Sequence, residues 1–379
     1  MNDLTLRGVT LHIVRITDQT CWSFLRLHTQ DGRTGDGEAS LLGQEDALLV
    51  AAERLVPLLL VESQHLSDFS QQHAPDNIQD AAIVSAADQA LWSLRAQAEG
   101  ESLAQTLGVQ RERIPVYANI NRRTRQRDPE GFAASARTAM TAGHLAFKVA
   151  PFDEVSTRVC AEGNGEQAMQ AGLARIAAVR EVVGPDARLM VDCHWRFDEA
   201  TATVLNEAAA GMGVYWIETP LPEVVDNIPA LARLKQQSNT LGMQQAGLEQ
   251  SVRWDSLRPY CEGKAYDVVM PDMKYIGGVD EIQRTATGCA ALGVKLSPHN
   301  PSGPICHAAS LQVSAVLGAF DMLELQFDES PLFNALVGAP FAPVRDGHTE
   351  LPPGPGLGAV LDEAVLQRNA DRPPREWFA

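Results

Sequence analysis

The stretch RLMVDCHWRFDEA, Arg188–Ala200, decides the fold. An apolar run of strand character stops on Asp192, presents His194 two residues later, and gives way to a sequence of helical texture. A buried strand that ends on a carboxylate and is followed by a helix is half of a βαβ unit. The same texture recurs on both sides. VYANI (116–120), LAFKVA (145–150), VYWIE (214–218), DVVMP (267–271), VKLSP (294–298) and DMLELQ (321–326) are short apolar runs separated by helical stretches. Strand, helix, strand at this spacing predicts right-handed crossovers and a parallel sheet. About eight such strands fit a modified (β/α)₈ TIM-type barrel, whose chemistry sits at the C-terminal strand ends. A doubly wound sheet is the alternative, but no GxGxxG opens a helix after an early strand.

Upstream, LTLRGVTLHIV and CWSFLRLHT alternate as a β-ribbon, and QDGRTGDGEAS (30–40) is read as glycine turns. Helical periodicity follows in QEDALLVAAERLVPLLL (44–60) and AAIVSAADQALWSLRAQAEGESLAQTLG (81–108). These divide the chain into an α+β capping domain at 1–113, a catalytic barrel at 114–338, and a C-terminal return to the cap at 339–379.

A formal charge of −17 excludes a basic nucleic-acid footprint. No long uncharged apolar run predicts a membrane span, and Met1–Val14 lacks the apolar core of a signal peptide. Six scattered cysteines without CxxC spacing read as reduced thiols of a cytoplasmic protein. The expected partner is a small molecule.

Polar residues end nearly every barrel strand: Asn119 and Asn121, Lys148, Asp192 and His194, Glu218, Glu249, Asp272, His299 and Glu324. Asp192, Glu218 and Glu249 close three successive strands, so in a barrel they converge on one rim. Three anions there repel unless a divalent cation neutralises them, and an all-oxygen set favours Mg²⁺, with Mn²⁺ as substitute, over zinc. Any one of them alone reads as a surface or salt-bridged carboxylate.

The motifs VDCHWRF, WIETPLPE, AGLEQ, DVVMPDMKYIGGVDE and KLSPHNPSG resemble the successive strand-end motifs of the enolase superfamily. The segment 85–108 is similar to the helix that closes that family's capping domain, and LPPGPGLG (351–358) to its C-terminal return. Asp272 and His299 match the Asp-His dyad of the mandelate racemase subgroup. The muconate-lactonising subgroup has Lys where Asp272 stands; Lys274, two residues on, is not assigned that role.

The resemblance implies a small-molecule carboxylate substrate, a homo-oligomer, Asp192, Glu218 and Glu249 as metal ligands, and removal of the proton α to the substrate carboxylate. In that chemistry the metal stabilises the enediolate, and enolase-superfamily sites appear in general accounts of pKa tuning as a Lys or His base with one or two Mg²⁺ ions. His299 becomes the base with Asp272 fixing its tautomer; alone, it reads as a histidine that caps a strand. Glu324 resembles the group that hydrogen-bonds the enediolate oxygen, or is a structural carboxylate. Many relatives carry Lys-x-Lys after the second barrel strand. Here Lys148 matches the first lysine, which leaves it as a cation for the substrate carboxylate, and Ala150 occupies the second, which removes the base a two-base racemisation needs. Asp192-x-His194 is similar to a motif of acid-sugar dehydratases, with His194 as the acid that assists departure of the β-hydroxyl. Strand alternation from Asp192 puts His194 on the same side, one step nearer the rim, so its imidazole is expected to face the substrate; otherwise it is a loop histidine at the mouth. Asn121, Arg196, Arg122 and Arg123 are candidates for binding substrate hydroxyls or a distal carboxylate, or simply solubilise the rim.

These readings converge on a Mg²⁺-dependent sugar-acid dehydratase that yields a 2-keto-3-deoxy acid. An epimerase, racemase or cycloisomerase of a related carboxylate is the alternative, and a non-catalytic carboxylate-binding barrel is a second one.

Overall fold

The computed structural model describes residues 4–61 and 69–379. Met1–Asp3, the start of the stretch read for a signal peptide, lie outside them. Three antiparallel strands open the chain: β1 (Leu6–Arg15), β2 (Cys21–Thr29) and β3 (Thr34–Glu38). The sequence reading placed turns throughout 30–40, yet its second half is β3. The reason is packing. Gly35 and Gly37 lie under the helix Ile78–Glu99, where a Cβ on Gly37 would stand 1.8 Å from the Ala86 carbonyl oxygen, so these glycines serve close approach rather than turning. That helix starts on Asn77, whose side chain accepts the Asp80 N–H, and ends on Gly100 in the left-handed conformation.

The barrel follows. Its strands are β4 (Arg113–Asn119), β5 (Ala146–Val149), β6 (Arg188–Asp192), β7 (Trp216–Glu218), β8 (Gln244–Gly247), β9 (Val268–Val269), β10 (Lys295–Leu296) and β11 (Leu323–Gln326), parallel and side by side in chain order. β11 pairs with β4, and a bridge from Leu296 to Phe320 closes the ring. Two short strands finish the chain: β12 (His348–Glu350) lies antiparallel to β4, and β13 (Arg375–Phe378) adds to β1 of the first sheet. Among the described residues no helix is long and apolar enough to cross a membrane.

Strand periodicity builds the site. Tyr117, Ala146, Met190, Trp216 and Met322 share one buried cluster in the barrel, and two residues further along each of these strands stand Asn119, Lys148, Asp192, Glu218 and Glu324. A period of two returns each side chain to the same face. An apolar floor therefore carries a polar layer directly above it.

Just before β5, His144 is buried against the edge of Phe327 with its Nδ1 unpartnered. Burial lowers its pKa to about 4. On acidification the unfolded chain takes up this proton first, so stability is complete above the ordinary histidine value of 6.5 and is lost as pH falls toward 4. Between pH 7 and 5 the loss is about 2 kcal/mol. Urea midpoints at these two pH values should show a pH-dependent loss smaller by this amount in His144→Leu; equal losses in both proteins would contradict it.

Candidate active site

Asp192 and Glu218 are register partners on β6 and β7. Glu249 lies two residues past the end of β8, and Leu248, with φ +72°, makes the turn that brings its carboxylate inward. The three buried carboxylates place oxygens within 4.8 Å of one another. Burial and the neighbouring carboxylates push Glu249 well above the usual carboxylate range, and burial lifts Glu218 to about 8 despite Lys148. Glu249 Oε2 is buried without a hydrogen bond. An orphaned buried oxygen within a compact carboxylate set fits a hard divalent cation, because such a cation would attract all three groups at once and favour their deprotonated forms.

Lys148 is shared between two protein carboxylates. Its Nζ lies 2.6 Å from Glu218 Oε1 and 3.1 Å from Glu324 Oε1. Burial disfavours its charge, but Glu218 and Glu324 more than offset that and hold the ammonium protonated. Glu324 also accepts from Asn119 Nδ2 at 2.6 Å and from Tyr117 Oη at 3.3 Å.

His299 and Asp272 meet as expected, with Nδ1 2.7 Å from Asp272 Oδ2, across a parallel bridge that prolongs β9 and β10. Burial lowers the pKa of His299, which favours the neutral imidazole. Its Nε2 points toward the carboxylates, 3.3 Å from Glu249 Oε2.

His194 arrives by a different route from strand alternation. Backbone φ is +46° at His194 and +58° at Trp195, so the strand does not persist past Asp192. The turn folds the imidazole back, placing Nε2 2.7 Å from Asp192 Oδ2, and the Asp192 charge raises its pKa. Arg196 faces elsewhere: its Nη1 donates to the carbonyls of Phe152, Asp153 and Val155, pinning the loop after β5. Asn121 lines a mouth cavity with Thr20, Arg122 and Arg127 and accepts from Arg127 Nη1 at 2.7 Å. Arg122 is held by Glu329, and Arg123 by Asp328.

Pattern reasoning gave no role to Lys274, which donates from Nζ to Asp272 Oδ2 at 2.7 Å. It also overlooked Tyr275, whose hydroxyl is 3.4 Å from His299 Nδ1, and Thr219, which donates to Asp192 Oδ1 at 2.9 Å. Only their closeness in sequence to Asp272 and Glu218 pointed to them.

Comparison with known proteins agrees with this architecture. Residues 5–108 match the mandelate racemase/muconate lactonizing enzyme N-terminal domain, and residues 131–365 match the enolase C-terminal domain-like model. The chain is 29% identical to a D-gluconate dehydratase of Thermoproteus tenax, over 92% of this chain and 70% of that protein. It is 26% identical to a D-galactonate dehydratase of Variovorax paradoxus, over 97% and 95% of the two chains. A solved enolase-superfamily member from Salmonella Typhimurium superposes with a TM-score of 0.85 at 21% identity, covering 99% of this chain and all of the other. The capping sheet, the closed barrel and both family matches together show that the chain belongs to the mandelate racemase/muconate lactonizing enzyme family of the enolase superfamily.

Proposed function

We propose that this protein is a hydro-lyase of sugar acids. The observation that carries the reading is the placement of two imidazoles at the two ends of one carboxylate row. His299 Nε2 lies 3.3 Å from Glu249 and His194 Nε2 lies 2.7 Å from Asp192, whereas Ala150 offers no proton acceptor for a two-base inversion. The similarity to gluconate and galactonate dehydratases supports the same reading.

In this scheme His299, neutral at Nε2 and oriented by Asp272, takes the C2 proton. The electron pair left on C2 expels the 3-hydroxyl as His194 protonates it, so that water leaves and the enol tautomerises to a 2-keto-3-deoxy acid. Lys148 and Glu324 sit in the polar layer above the apolar floor and hold one another in place, with Glu324 facing the developing enediolate. Asn121 lies at the mouth, on the side of the substrate's distal hydroxyls. Asp192, Glu218 and Glu249 would hold Mg²⁺, or Mn²⁺ in its place, and the bound ion would supply positive charge against the enediolate.

Incubation of the purified protein with Mg²⁺ and a panel of mono- and diacid sugars should yield 2-keto acid from at least one. Failure across the panel with metal bound would refute the reading. His194→Gln should lower dehydration by about 10² to 10⁴-fold, the usual worth of a positioned acid. Exchange of the C2 proton in D₂O should continue, since His299 remains. Loss of exchange and dehydration in equal measure would deny His194 the role of acid.

A further inference from the structure

Asp272 is held from two sides. Its Oδ2 receives His299 Nδ1 and Lys274 Nζ, each at 2.7 Å, and its Oδ1 receives the Lys274 backbone N–H at 2.7 Å. Lys274 is only 4% exposed, and its ammonium donates in addition to Ser302 Oγ at 2.6 Å. Ser302 immediately precedes Gly303, the N-cap of the helix Pro304–Ser314, a cap without a side chain of its own. A buried helix start needs acceptors for its free N–H groups. The acceptor comes from the other sheet: Glu38, at the end of β3, takes the Gly303 N–H on Oε1 at 2.7 Å and the Cys306 N–H on Oε2 at 2.9 Å. A Cβ on Gly303 would stand 2.9 Å from both Glu38 oxygens, so glycine there admits the carboxylate. Beside it, Gln89 accepts the Glu38 N–H at 3.1 Å and donates to the Met273 carbonyl at 2.9 Å, in the residue between Asp272 and Lys274.

These contacts form one buried chain, from the N-terminal sheet to the imidazole. An ammonium beside Asp272 disfavours transfer of the imidazole proton to that carboxylate, which keeps the proton on Nδ1 and leaves Nε2 free as an acceptor. We propose that Lys274, anchored by Ser302 and backed by Glu38 and Gln89, is the positioning residue that fixes the orientation and tautomer of His299. Its catalytic consequence rests on the hydro-lyase reading; its effect on the imidazole does not.

The test uses the full-length protein labelled with ¹⁵N-histidine. The Nδ1–H resonance of His299 is assigned by its loss in His299→Asn, then followed in Lys274→Met, Ser302→Ala and Glu38→Gln. Each should shift it toward mixed-tautomer values and lower kcat by about 10- to 100-fold, the usual cost of removing a supporting partner, with KM within about twofold because none of the three touches substrate. Arg26→Met is the control, since Arg26 pairs with the buried Asp36 in the same N-terminal sheet and lies off the chain of contacts. It should lower Tm while leaving the resonance and kcat in place. An unmoved resonance with kcat within about twofold in folded Ser302→Ala and Glu38→Gln would overturn the proposal, as would an equal response in Arg26→Met. Should Lys274→Met fail to fold, Ser302→Ala decides. If the wild type dehydrates no sugar acid but the resonance still moves, the hydro-lyase reading fails and the positioning role stands.

Discussion

His299→Asn is expected to lower both dehydration and C2-proton exchange by about 10³-fold or more, at the upper part of the range for a positioned general base. Asparagine roughly preserves the volume and keeps a donor for Asp272, so the fold should survive, but it accepts no proton at neutral pH. The neighbouring candidates do not replace it. Lys148 is protonated and shared between Glu218 and Glu324, and Ala150 carries no titratable group. Loss of exchange separates this variant from His194→Gln, in which exchange continues. The Mg²⁺-dependent rise in Tm should persist in His299→Asn, because the three carboxylates are intact. Turnover within about tenfold of wild type would sink the assignment.

Glu249→Gln is expected to abolish activity as well, and to do so while changing stability in an unusual direction. A ligand that binds only the native state adds about 2.7 kcal/mol at a concentration 100 times its Kd. Wild type should show this stabilisation on titration with Mg²⁺, and Glu249→Gln should lose most of it. In EDTA the order should reverse. Glu249 is fully desolvated, its Oε2 has no hydrogen bond, and Asp192 and Glu218 repel its charge, so the neutral amide removes an unfavourable burial. The variant should then melt no lower than wild type. Calorimetry with and without Mg²⁺ checks both halves; a variant that melts lower in EDTA yet keeps the Mg²⁺ shift would contradict the metal assignment.

Much of this was legible because barrel strands obey a period of two. RLMVD and VYWIE announce Asp192 and Glu218 by placing each two residues after an apolar neighbour on the same face, and the His299–Asp272 pair was legible through the resemblance of its motifs to the mandelate racemase dyad. Legibility stopped where the backbone left that period. The positive φ at His194 and Trp195 folds the imidazole onto Asp192, and no alternation rule anticipates a left-handed residue that is not glycine. The TGDGE segment read as turns because its glycines serve a helix some fifty residues later. Arg196 looked like a rim charge, yet its carbonyl partners belong to a loop whose path the sequence does not reveal. Lys274 was visible, but its partners Asp272 and Ser302 meet only across the interface that Glu38 completes.

The ammonium between Glu218 and Glu324 bears on how the molecule is made. Lys148 is part of the chain, so its charge is on hand from the moment β5, β7 and β11 come together. The nascent barrel therefore carries its own counter-ion and need not wait for one from solution to bring these acids into register. A divalent ion held by Asp192, Glu218 and Glu249 would then enter a finished scaffold rather than nucleate it.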